Sequence, residues 1–404
     1  MIQFPPTRAA ALSRLAAFAP RAGRAYAANR NADLPGHPHV SNLSPYLGHR
    51  TLTEAEVLAH ILTLHSPTAA EKFIAEVFWR TYWKGWLERR PGVWGQYKSG
   101  LNAALNRIQT ESRLHDDWQS ACLGTTGIGC FDHWARELVQ TGYLHNHARM
   151  WFASIWCFTL RLPWELGADL FLRHLLDGDP ASNTLSWRWV AGIQTPGKTY
   201  LARADNIAFY TGGRFNPTGL AKVAVPLPGP SLPTLGPVPQ SNPWPEGGRI
   251  GLLLTAEDLS PDWLLDPITP VATATLPAAP RSPLDTAPGV TEFTNALIGD
   301  CLTRQKNLGP VTQVPDVAAL VTWARDQRLD SLITAHIPTG PAADQMSGLR
   351  PALAVQAIRL HSLIRSYDAQ AWPHASHGFF KFRDAIPGLL RGIGPQRQAE
   401  LPFL

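Results

Sequence analysis

Three side chains of different chemistry are spaced so that they would share one face of a helix. Asn146, Arg149 and Met150 stand at i, i+3 and i+4 within TGYLHNHARMWFASIWCF. A helix through this segment therefore places an amide, a guanidinium and a thioether on one face. This mixture is unusual for a face that only packs into a core. It indicates a helix with a functional role.

Two carboxylates follow on a tight turn. Asp177 and Asp179 flank Gly178, and Asn183 follows where a new helix can begin. A carboxylate facing Arg149 would form a charge-assisted pair and keep acceptors free for the N–H of a heteroaromatic ring. A helix start also suits anions or polar ring edges. Taken alone, however, such a turn more often carries a solvated surface salt bridge.

A second mixed face occurs upstream, in EKFIAEVFWRTYWKGW. Phe73, Glu76 and Arg80 repeat at helical spacing, and Trp79 lies beside them. Such a face can meet an aromatic ligand. In isolation, Trp79 is more often a core residue, because large aromatic side chains dominate helix-packing interfaces. Its charged neighbours favour the ligand-binding interpretation.

Together these motifs resemble, in the same order along the chain, the FAD-binding helical domain of the photolyase/cryptochrome family. The resemblance covers roughly residues 10 to 215 and includes Tyr26 and Arg30 in AYAANRNAD. The segment VSNLSPYLG resembles the family's phosphate-binding loop, with Asn42 in place of its arginine. Ser41 and Ser44 keep the hydroxyls that a diphosphate needs. We therefore expect phosphate affinity to be lower or to come from other groups.

The resemblance implies FAD as the cofactor. The residues that it assigns to cofactor binding are Tyr26, Ser41, Asn42, Leu43, Ser44, Phe73, Asn146, Arg149, Asp177, Asp179 and Asn183. Asn183 matches the position that faces flavin N5. Asparagine there is typical of the family's repair enzymes, whereas many signalling cryptochromes carry cysteine or aspartate. The resemblance also allows a second, antenna chromophore, but no residue identifies one.

The resemblance further implies a cavity for UV-damaged DNA, with a flipped dinucleotide stacked between Trp79 and Trp189. The implied lesion-binding residues are Arg30, Glu76, Trp79, Arg80, Met150 and Trp189. Family members that repair (6-4) photoproducts tend to place histidines where this chain has Asn146 and Met150. Cyclobutane pyrimidine dimers are therefore the expected substrate.

The chemistry implied is transfer of one electron from excited reduced FAD to the dimer, followed by its return. The residues assigned to this chemistry are Glu76, Asn146, Trp164, Trp187 and Asn183. Trp187 and Trp164 match the first two members of the family's photoreduction chain. The third is not evident, and Trp94, Tyr97, Trp118 or Trp156 would replace it only by a different route.

Composition agrees with this interpretation without producing it. The chain has 404 residues, 45% of them apolar, a formal net charge of +5 and an isoelectric point near 9.1. A chain of this length can form two domains. It contains no apolar run that approaches the length of a membrane span. Its net positive charge is compatible with a phosphate-binding face. The four cysteines form no CxxC pair, which argues against a zinc site, a disulfide framework or an iron–sulfur cluster. We expect no metal and a reducing, cytoplasmic location.

The chain changes character after RFNP. Nine prolines occur from Pro217 to Pro245, which excludes helix and central strand. We therefore predict an all-helical FAD-binding domain over 1–215, an extended connector over 216–247 and a Rossmann-like parallel α/β domain over 248–404. Alternating strand and helix patterns predict the last, with strands in RIGLLLTAEDL and LDSLITAHIPTGP, a helix through LAVQAIRLHSLIRSY and a crevice at Thr334 to His336.

The α/β half resembles, more weakly, the antenna domain of the same family. In ordinary members that domain precedes the flavin domain, so the order here is reversed, as in a circular permutation. Two functions from different classes remain open. One is a light-driven DNA repair lyase; the other is a cryptochrome-like photoreceptor that signals to a protein partner without repair.

Overall fold

The computed structural model describes residues 3–393. Within these residues, every regular element before residue 211 is helical. The α-helices are α1 (Arg8–Phe18), α2 (Arg24–Asn29), α3 (Ser44–Gly48), α4 (Glu54–Leu64), α5 (Glu71–Glu88), α6 (Gly92–Thr110), α7 (Ser112–Leu123), α8 (Gly129–Thr141), α9 (Asn146–Ser154), α10 (Trp164–His174), α11 (Pro180–Val190) and α12 (Ala204–Tyr210). A π-helical turn, Ile155–Thr159, continues α9.

Local capping sets the ends of the helices that flank the predicted site. Helix α8 ends at Gly142, whose φ of 66° is the left-handed conformation that glycine adopts most readily. Helix α11 begins with Pro180 as its first residue and Asp179 as its N-cap. The Asp179 carboxylate accepts hydrogen bonds from the Ala181 and Ser182 amides, both at 3.3 Å. These caps determine where the connecting loops begin.

The second half contains a five-stranded, all-parallel sheet in the order β3-β2-β1-β4-β5. Its elements are β1 (Ile250–Leu254), α13 (Asp262–Leu265), β2 (Ala272–Thr275), α14 (Pro288–Arg304), β3 (Val311–Gln313), α15 (Val317–Asp326), β4 (Ser331–Ala335), α16 (Pro341–Gln345), α17 (Leu349–Val355), β5 (Arg359–Leu363), α18 (Ser366–Ala371), α19 (Phe379–Arg383) and α20 (Ile386–Arg391). Leu252 of β1 lies opposite Thr273 of β2 and Ile333 of β4. Strands β1 and β4 are buried throughout, as central parallel strands covered on both faces must be.

The predicted fold class of helices plus a parallel sheet is confirmed, but one predicted element is wrong. The helix expected through LAVQAIRLHSLIRSY ends at Val355, and Arg359–Leu363 pairs with β4 as a strand instead. Ala357 between them has a φ of 58°, which interrupts the helix. Pairing with the sheet edge outweighs the local helical periodicity. Strands β2 and β3, of four and three residues, had not been predicted.

The proline-rich segment 216–247 contains neither helix nor strand, as its composition predicts. It is tied to both halves by backbone hydrogen bonds. The Leu227 amide donates to the Ala191 carbonyl at 2.9 Å, the Gly236 amide to Arg89 at 2.8 Å, and the Asn242 amide to Ser362 at 3.0 Å. The segment therefore lies against the protein along its length.

The largest apolar core is centred on the helices of the first half but extends beyond them. It includes Phe293 of α14 and both Phe379 and Phe382 of α19. Two smaller cores cover the sheet, one containing Leu332 and the other Ile333. The last helices of the described chain thus pack with the helical half. None of the described helices is both long and apolar enough to cross a membrane.

A buried ionic network joins the two halves. The Arg50 guanidinium lies 2.7 Å from Asp368 and 3.6 Å from Glu54. Asp258, at the end of β1, is paired with Arg365 at 2.5 Å and lies 3.9 Å from Arg50. Burial opposes ionisation of Arg50, but the carboxylates outweigh it and raise its pKa. Breaking one partner would leave a buried charge unpaired, which is strongly destabilising.

Candidate functional site

The structure brings Arg149 of α9 to the acidic turn, a name used here for residues 177–179. Its Nη2 donates to Asp177 Oδ2 at 2.9 Å, while its Nε donates to the Leu144 carbonyl at 3.0 Å. Burial alone would raise the pKa of Asp177, but Arg149, with help from Arg80, lowers it below its usual value. Asp177 is buried and Arg149 is partly buried, so the pair is a clamp and differs from the solvated surface bridge considered for the turn alone.

Helix α5 supplies the opposite side of the site. Phe73 is buried against Tyr26 of α2, with ring centroids 5.3 Å apart in an edge-to-face arrangement. One turn further on, Glu76 pairs with Arg30, and both side chains remain about 30% exposed. Burial raises the pKa of Glu76, and Arg30 offsets this only in part. These two charged groups are accessible to solvent, whereas the neighbouring Phe73 and Val77 of α5 are buried.

Arg80, one turn after Glu76, reaches the acidic turn from the α5 side. Its Nη1 lies 3.7 Å from Asp179 Oδ2. Burial acts to raise the pKa of Asp179, but Lys84, Arg80 and Ser182 together lower it. Each carboxylate of the turn thus faces its own arginine, Asp177 from α9 and Asp179 from α5.

The predicted phosphate loop precedes α3. Asn42 has a φ of 53°, a left-handed conformation that asparagine tolerates better than most residues. Its Nδ2 donates to the His37 carbonyl at 3.3 Å, and the Leu43 amide donates to Ser41 Oγ at 3.4 Å. Ser44 begins α3. The loop is therefore an ordered turn, and Ser44 contributes to the lowered pKa of Asp177.

A charged histidine that sequence reasoning missed lies next to this loop. His37 is buried between Asp33, at 3.4 Å, and Glu137, at 3.0 Å. Burial alone would lower its pKa, but the two carboxylates raise it to about 9. The only local sign of this site in the sequence is a histidine five residues before Asn42. Its partner Glu137 is distant in sequence, so the pair is not visible from the local sequence.

Apart from Arg30, which caps α2, the predicted lesion-binding residues lie on three helices that pack in series, α5 on α11 and α11 on α9. Trp79 of α5 is stacked face to face on Phe379, with centroids 3.7 Å apart and an interplanar angle of 11°. Trp189 of α11 lies over Tyr200 at 5.8 Å. Asn146, the first residue of α9, is exposed, and Met150 is half-buried.

Asn183 lies one turn into α11 and is buried. Its Nδ2 donates to the Ala168 carbonyl of α10 at 2.7 Å. Both amide hydrogens and the carbonyl oxygen of this side chain can form hydrogen bonds. The contact with α10 fixes the orientation of the amide and leaves its oxygen as the acceptor for a further partner.

The two tryptophans assigned to photoreduction have different neighbours. Trp187 is buried and contacts Trp156, with centroids 6.1 Å apart. Trp164 contacts Tyr97 at 5.9 Å, and Tyr97 contacts Trp94 at 5.1 Å. Two aromatic continuations therefore exist, one through Trp156 and one outward from Trp164.

A cleft at the junction of the two halves lies beside the acidic turn and encloses about 700 Å³, including solvent at its mouth. It is lined by the segments after β1 and β2, among them Glu257 and Arg281, and by Gln345 of α16. The crevice predicted at Thr334 to His336 is thus displaced towards β1 and β2. His336 is instead paired with Glu88 of α5 at 2.7 Å.

Three polar atoms at the predicted cofactor site are buried without a hydrogen bond within residues 3–393: Asp177 Oδ1, Arg80 Nη1 and Asn42 Oδ1. An unsatisfied buried polar group is costly. The set includes two acceptors and a cationic donor, which suits a ligand with ring N–H groups and anionic oxygens. The residues present therefore fit FAD.

Comparison with known proteins agrees with this geometry. Residues 73–220 match the family model of the FAD binding domain of DNA photolyase. A deoxyribodipyrimidine photo-lyase of Streptomyces griseus is 34% identical over 188 residues, which are 43% of this chain and 39% of that protein. One from Alkalihalophilus pseudofirmus is 32% identical over 191 residues, 47% of this chain and 39% of that protein.

The chain thus spans 39% of the length of each of these two relatives. Among solved structures, a bacterial class III photolyase from Agrobacterium tumefaciens is 26% identical, covering 51% of this chain and 43% of that one, with a TM-score of 0.43. The family matches and the site geometry define a flavoprotein. Residues 73–220 are thus similar to the FAD-binding domain of the photolyase/cryptochrome family, and the match supports FAD as the cofactor.

Proposed function

We propose that this protein is a light-driven DNA repair lyase that splits cyclobutane pyrimidine dimers. The observation that carries the proposal is that Glu76, on the same helix as Trp79, forms a partly exposed pair with Arg30 at the end of α2, and that Trp189 lies on the adjoining α11. This combination supplies an aromatic surface, a carboxyl group and a cation to one ligand. A flipped pyrimidine dimer has matching ring faces, imide edges and phosphates.

When bound and reduced, FAD supplies the light-excited electron that cleaves the dimer. The chain's own residues bind and orient. Trp79 and Trp189 offer faces on which unstacked bases can rest. Glu76, paired with Arg30, is proposed to hydrogen-bond the imide edge or a carbonyl of the dimer; burial raises the pKa of its carboxyl group, and Arg30 opposes this.

The residues around the cofactor have a separate task. Asp177 and Asp179 are proposed to accept hydrogen bonds from the ring edge of the flavin, with Arg149 and Arg80 holding them ionised. The loop from Ser41 to Ser44 is proposed to bind the diphosphate. Asn183, fixed by Ala168, is proposed to face the flavin ring.

We also infer that the family's two domains occur in reversed order in this chain. The helical part precedes the parallel α/β part, and the proline-rich segment 216–247 connects them. The buried Arg50 network and the packing of α19 on α5 hold the two parts together through contacts between distant segments. Such contacts do not depend on which part comes first in the chain.

One observation favours a second candidate, a photoreceptor that uses the same flavin pocket without repair. Phe379 already occupies one face of Trp79. Only the other face of this ring is then available to a base. A photoreceptor would use the flavin site and signal to a protein partner.

A repair assay separates the two functions. Fully reduced protein is incubated with an oligonucleotide that contains cyclobutane dimers, in blue light and in darkness, and the dimers are counted. Loss of dimers in the light arm alone is expected. Equal counts in both arms, with FAD bound and reduced, would reject repair and leave the photoreceptor. The Glu76→Gln variant should lower the repair yield more than the affinity for the dimer.

A further inference from the structure

The α/β half contacts the acidic turn through an arginine in the segment between β2 and α14. Arg281 Nη1 donates to the Leu175 carbonyl at 2.7 Å and approaches the Leu172 carbonyl at 3.4 Å. These carbonyls end α10 and lead directly into the turn. A cation is the favoured group at a helix C-terminus, where carbonyls lack partners within the helix.

Close packing at Gly178 shows how tightly this arginine fits. A methyl group on Gly178 would collide with the Arg281 guanidinium and would lie 2.9 Å from the Leu172 carbonyl oxygen. The middle residue of the acidic turn is therefore enclosed by the arginine and by the end of α10. Only glycine leaves room for both contacts.

A second contact reaches the same region from a different loop. Gly340, between β4 and α16, approaches Pro180 so closely that a methyl group on Gly340 would lie 2.6 Å from Pro180 Cγ. Pro180 is the first residue of α11 and follows the turn directly. The α/β half thus meets the acidic turn at Gly178 and its neighbour at Pro180.

The positive charge of Arg281 lies close to three carboxylates. Arg281 lies within the fields of Glu257, Asp177 and Asp179, which oppose the lowering of its pKa by burial. Its hydrogen bonds go to backbone carbonyls, so the carboxylates of the turn keep their oxygens for Arg149, Arg80 and the cofactor. Arg281 therefore supports the turn without competing for its acceptors.

We propose that Arg281 is a positioning residue for FAD, which holds the acidic turn from the α/β side so that Asp177 and Asp179 keep their places at the cofactor. The proposal rests on the assignment of these two aspartates to the FAD site. It makes a residue outside the helical half necessary for full cofactor affinity. Gly340 supports the same turn through Pro180.

The test is a titration of full-length apoprotein with FAD in the dark, which requires no repair activity. Arg281→Ala is expected to weaken FAD binding about tenfold, the equivalent of one lost hydrogen bond to a charged group. It should also change the shape of the visible absorption band of bound FAD, which reports the ring's surroundings. Arg281→Lys should recover part of the affinity, because an ammonium group can donate to one of the two carbonyls.

Arg304→Ala is the matched control. Arg304 also donates to a backbone carbonyl at the junction, that of Leu259 at 3.0 Å, but lies away from the acidic turn. FAD affinity should be unchanged in this variant. Equal FAD affinity in Arg281→Ala and Arg304→Ala, with an unchanged absorption band, would overturn the proposal.

Gly340→Ala keeps the question answerable if Arg281→Ala does not fold. This variant leaves the Arg281 side chain unchanged; it presses on Pro180 and, because Gly340 has a φ of 157°, also strains its own loop. Weaker FAD binding with an unchanged free energy of unfolding would support the proposal, and wild-type affinity would overturn it. Failure of the repair assay leaves these dark titrations intact. The two proposals can therefore fail separately.

Discussion

The helical half and the α/β half differ in how their functional residues are specified. In the helical half, Asn146, Arg149 and Met150 share a helix face because of their spacing alone. In the α/β half, Arg281 and Gly340 lie in loops, and their importance depends on what they touch. A sequence motif can therefore identify a site in one half, although the site also depends on residues of the other half that belong to no recognisable motif.

The largest effect is expected from substitutions that break the Arg149–Asp177 clamp in the helical half. Arg149→Ala leaves the buried Asp177 carboxylate without its closest partner, at a cost of about 3–5 kcal/mol, whereas Asp177→Ala leaves the partly exposed Arg149 unpaired and costs less stability. Both variants should lose FAD during purification and bind it weakly on reconstitution. The ratio of FAD to protein in the purified sample measures this.

Arg173→Ala is the control for the clamp. It breaks a comparable buried pair, with Asp169 at 2.7 Å on α10, but not at the turn. It should lower the melting temperature and retain FAD. An Arg149→Ala protein with a full complement of FAD would show that the clamp does not hold the cofactor.

The pH dependence of stability distinguishes the helical half from the junction. The pKa of His37 is raised to about 9 in the folded protein, above the usual value near 6.5. Its contribution is therefore complete below about pH 6.5 and is lost as the pH rises through 9. His37→Gln should remove a pH-dependent free energy of unfolding on the order of 2–3 kcal/mol.

Urea unfolding of both proteins at about pH 6 and about pH 10 measures this difference. His49, at the junction, is the control, because burial lowers its pKa to about 4 and it stays neutral over this range. Because His49 protonates only in the unfolded protein near pH 6, the stability difference between wild type and His49→Gln should change by less than about 1 kcal/mol between these pH values, in the direction opposite to that for His37→Gln. A stability difference for His37→Gln that does not change with pH would mean that His37 is not charged in the folded protein.

A smaller effect concerns the proposed lesion cavity. Stacking on an aromatic face is worth about 1–3 kcal/mol per base, so Trp79→Ala or Trp189→Ala should weaken binding of dimer-containing DNA roughly tenfold or more. Fluorescence anisotropy with damaged and undamaged oligonucleotides measures this. Trp118→Ala, on α7, should bind as wild type. Unchanged binding in both cavity variants would favour the photoreceptor.

The smallest effect is expected on the rate of FAD photoreduction, with no change in binding or stability. Trp187→Phe should slow photoreduction of oxidised FAD far more than repair by chemically reduced protein, because the relay acts only while the flavin is being charged. Flash photolysis measures the first rate, and dimer counts the second. A wild-type photoreduction rate would assign the relay to other rings. Trp156→Phe then tests the ring that contacts Trp187.

Periodicity and turn chemistry predicted much of the fold. Helices α5 and α9, strands β1 and β4, and the irregular proline-rich segment all appear where expected. The error at β5 arose because LAVQAIRLHSLIRSY fits a helix locally, and only the neighbouring strand β4 favours the extended form. The short strands β2 and β3 contain too few residues for alternation to be recognised.

For the candidate site, the sequence alone determined which residue types stand at which helical spacing, and hence the resemblance that led to FAD. Tertiary structure decided that Arg149 meets Asp177, that Arg80 meets Asp179, and that Phe379 covers Trp79. It also placed Arg281 behind the acidic turn. The physical reason is that spacing along one helix is set by local hydrogen bonding, whereas a contact between distant segments depends on how the whole chain packs.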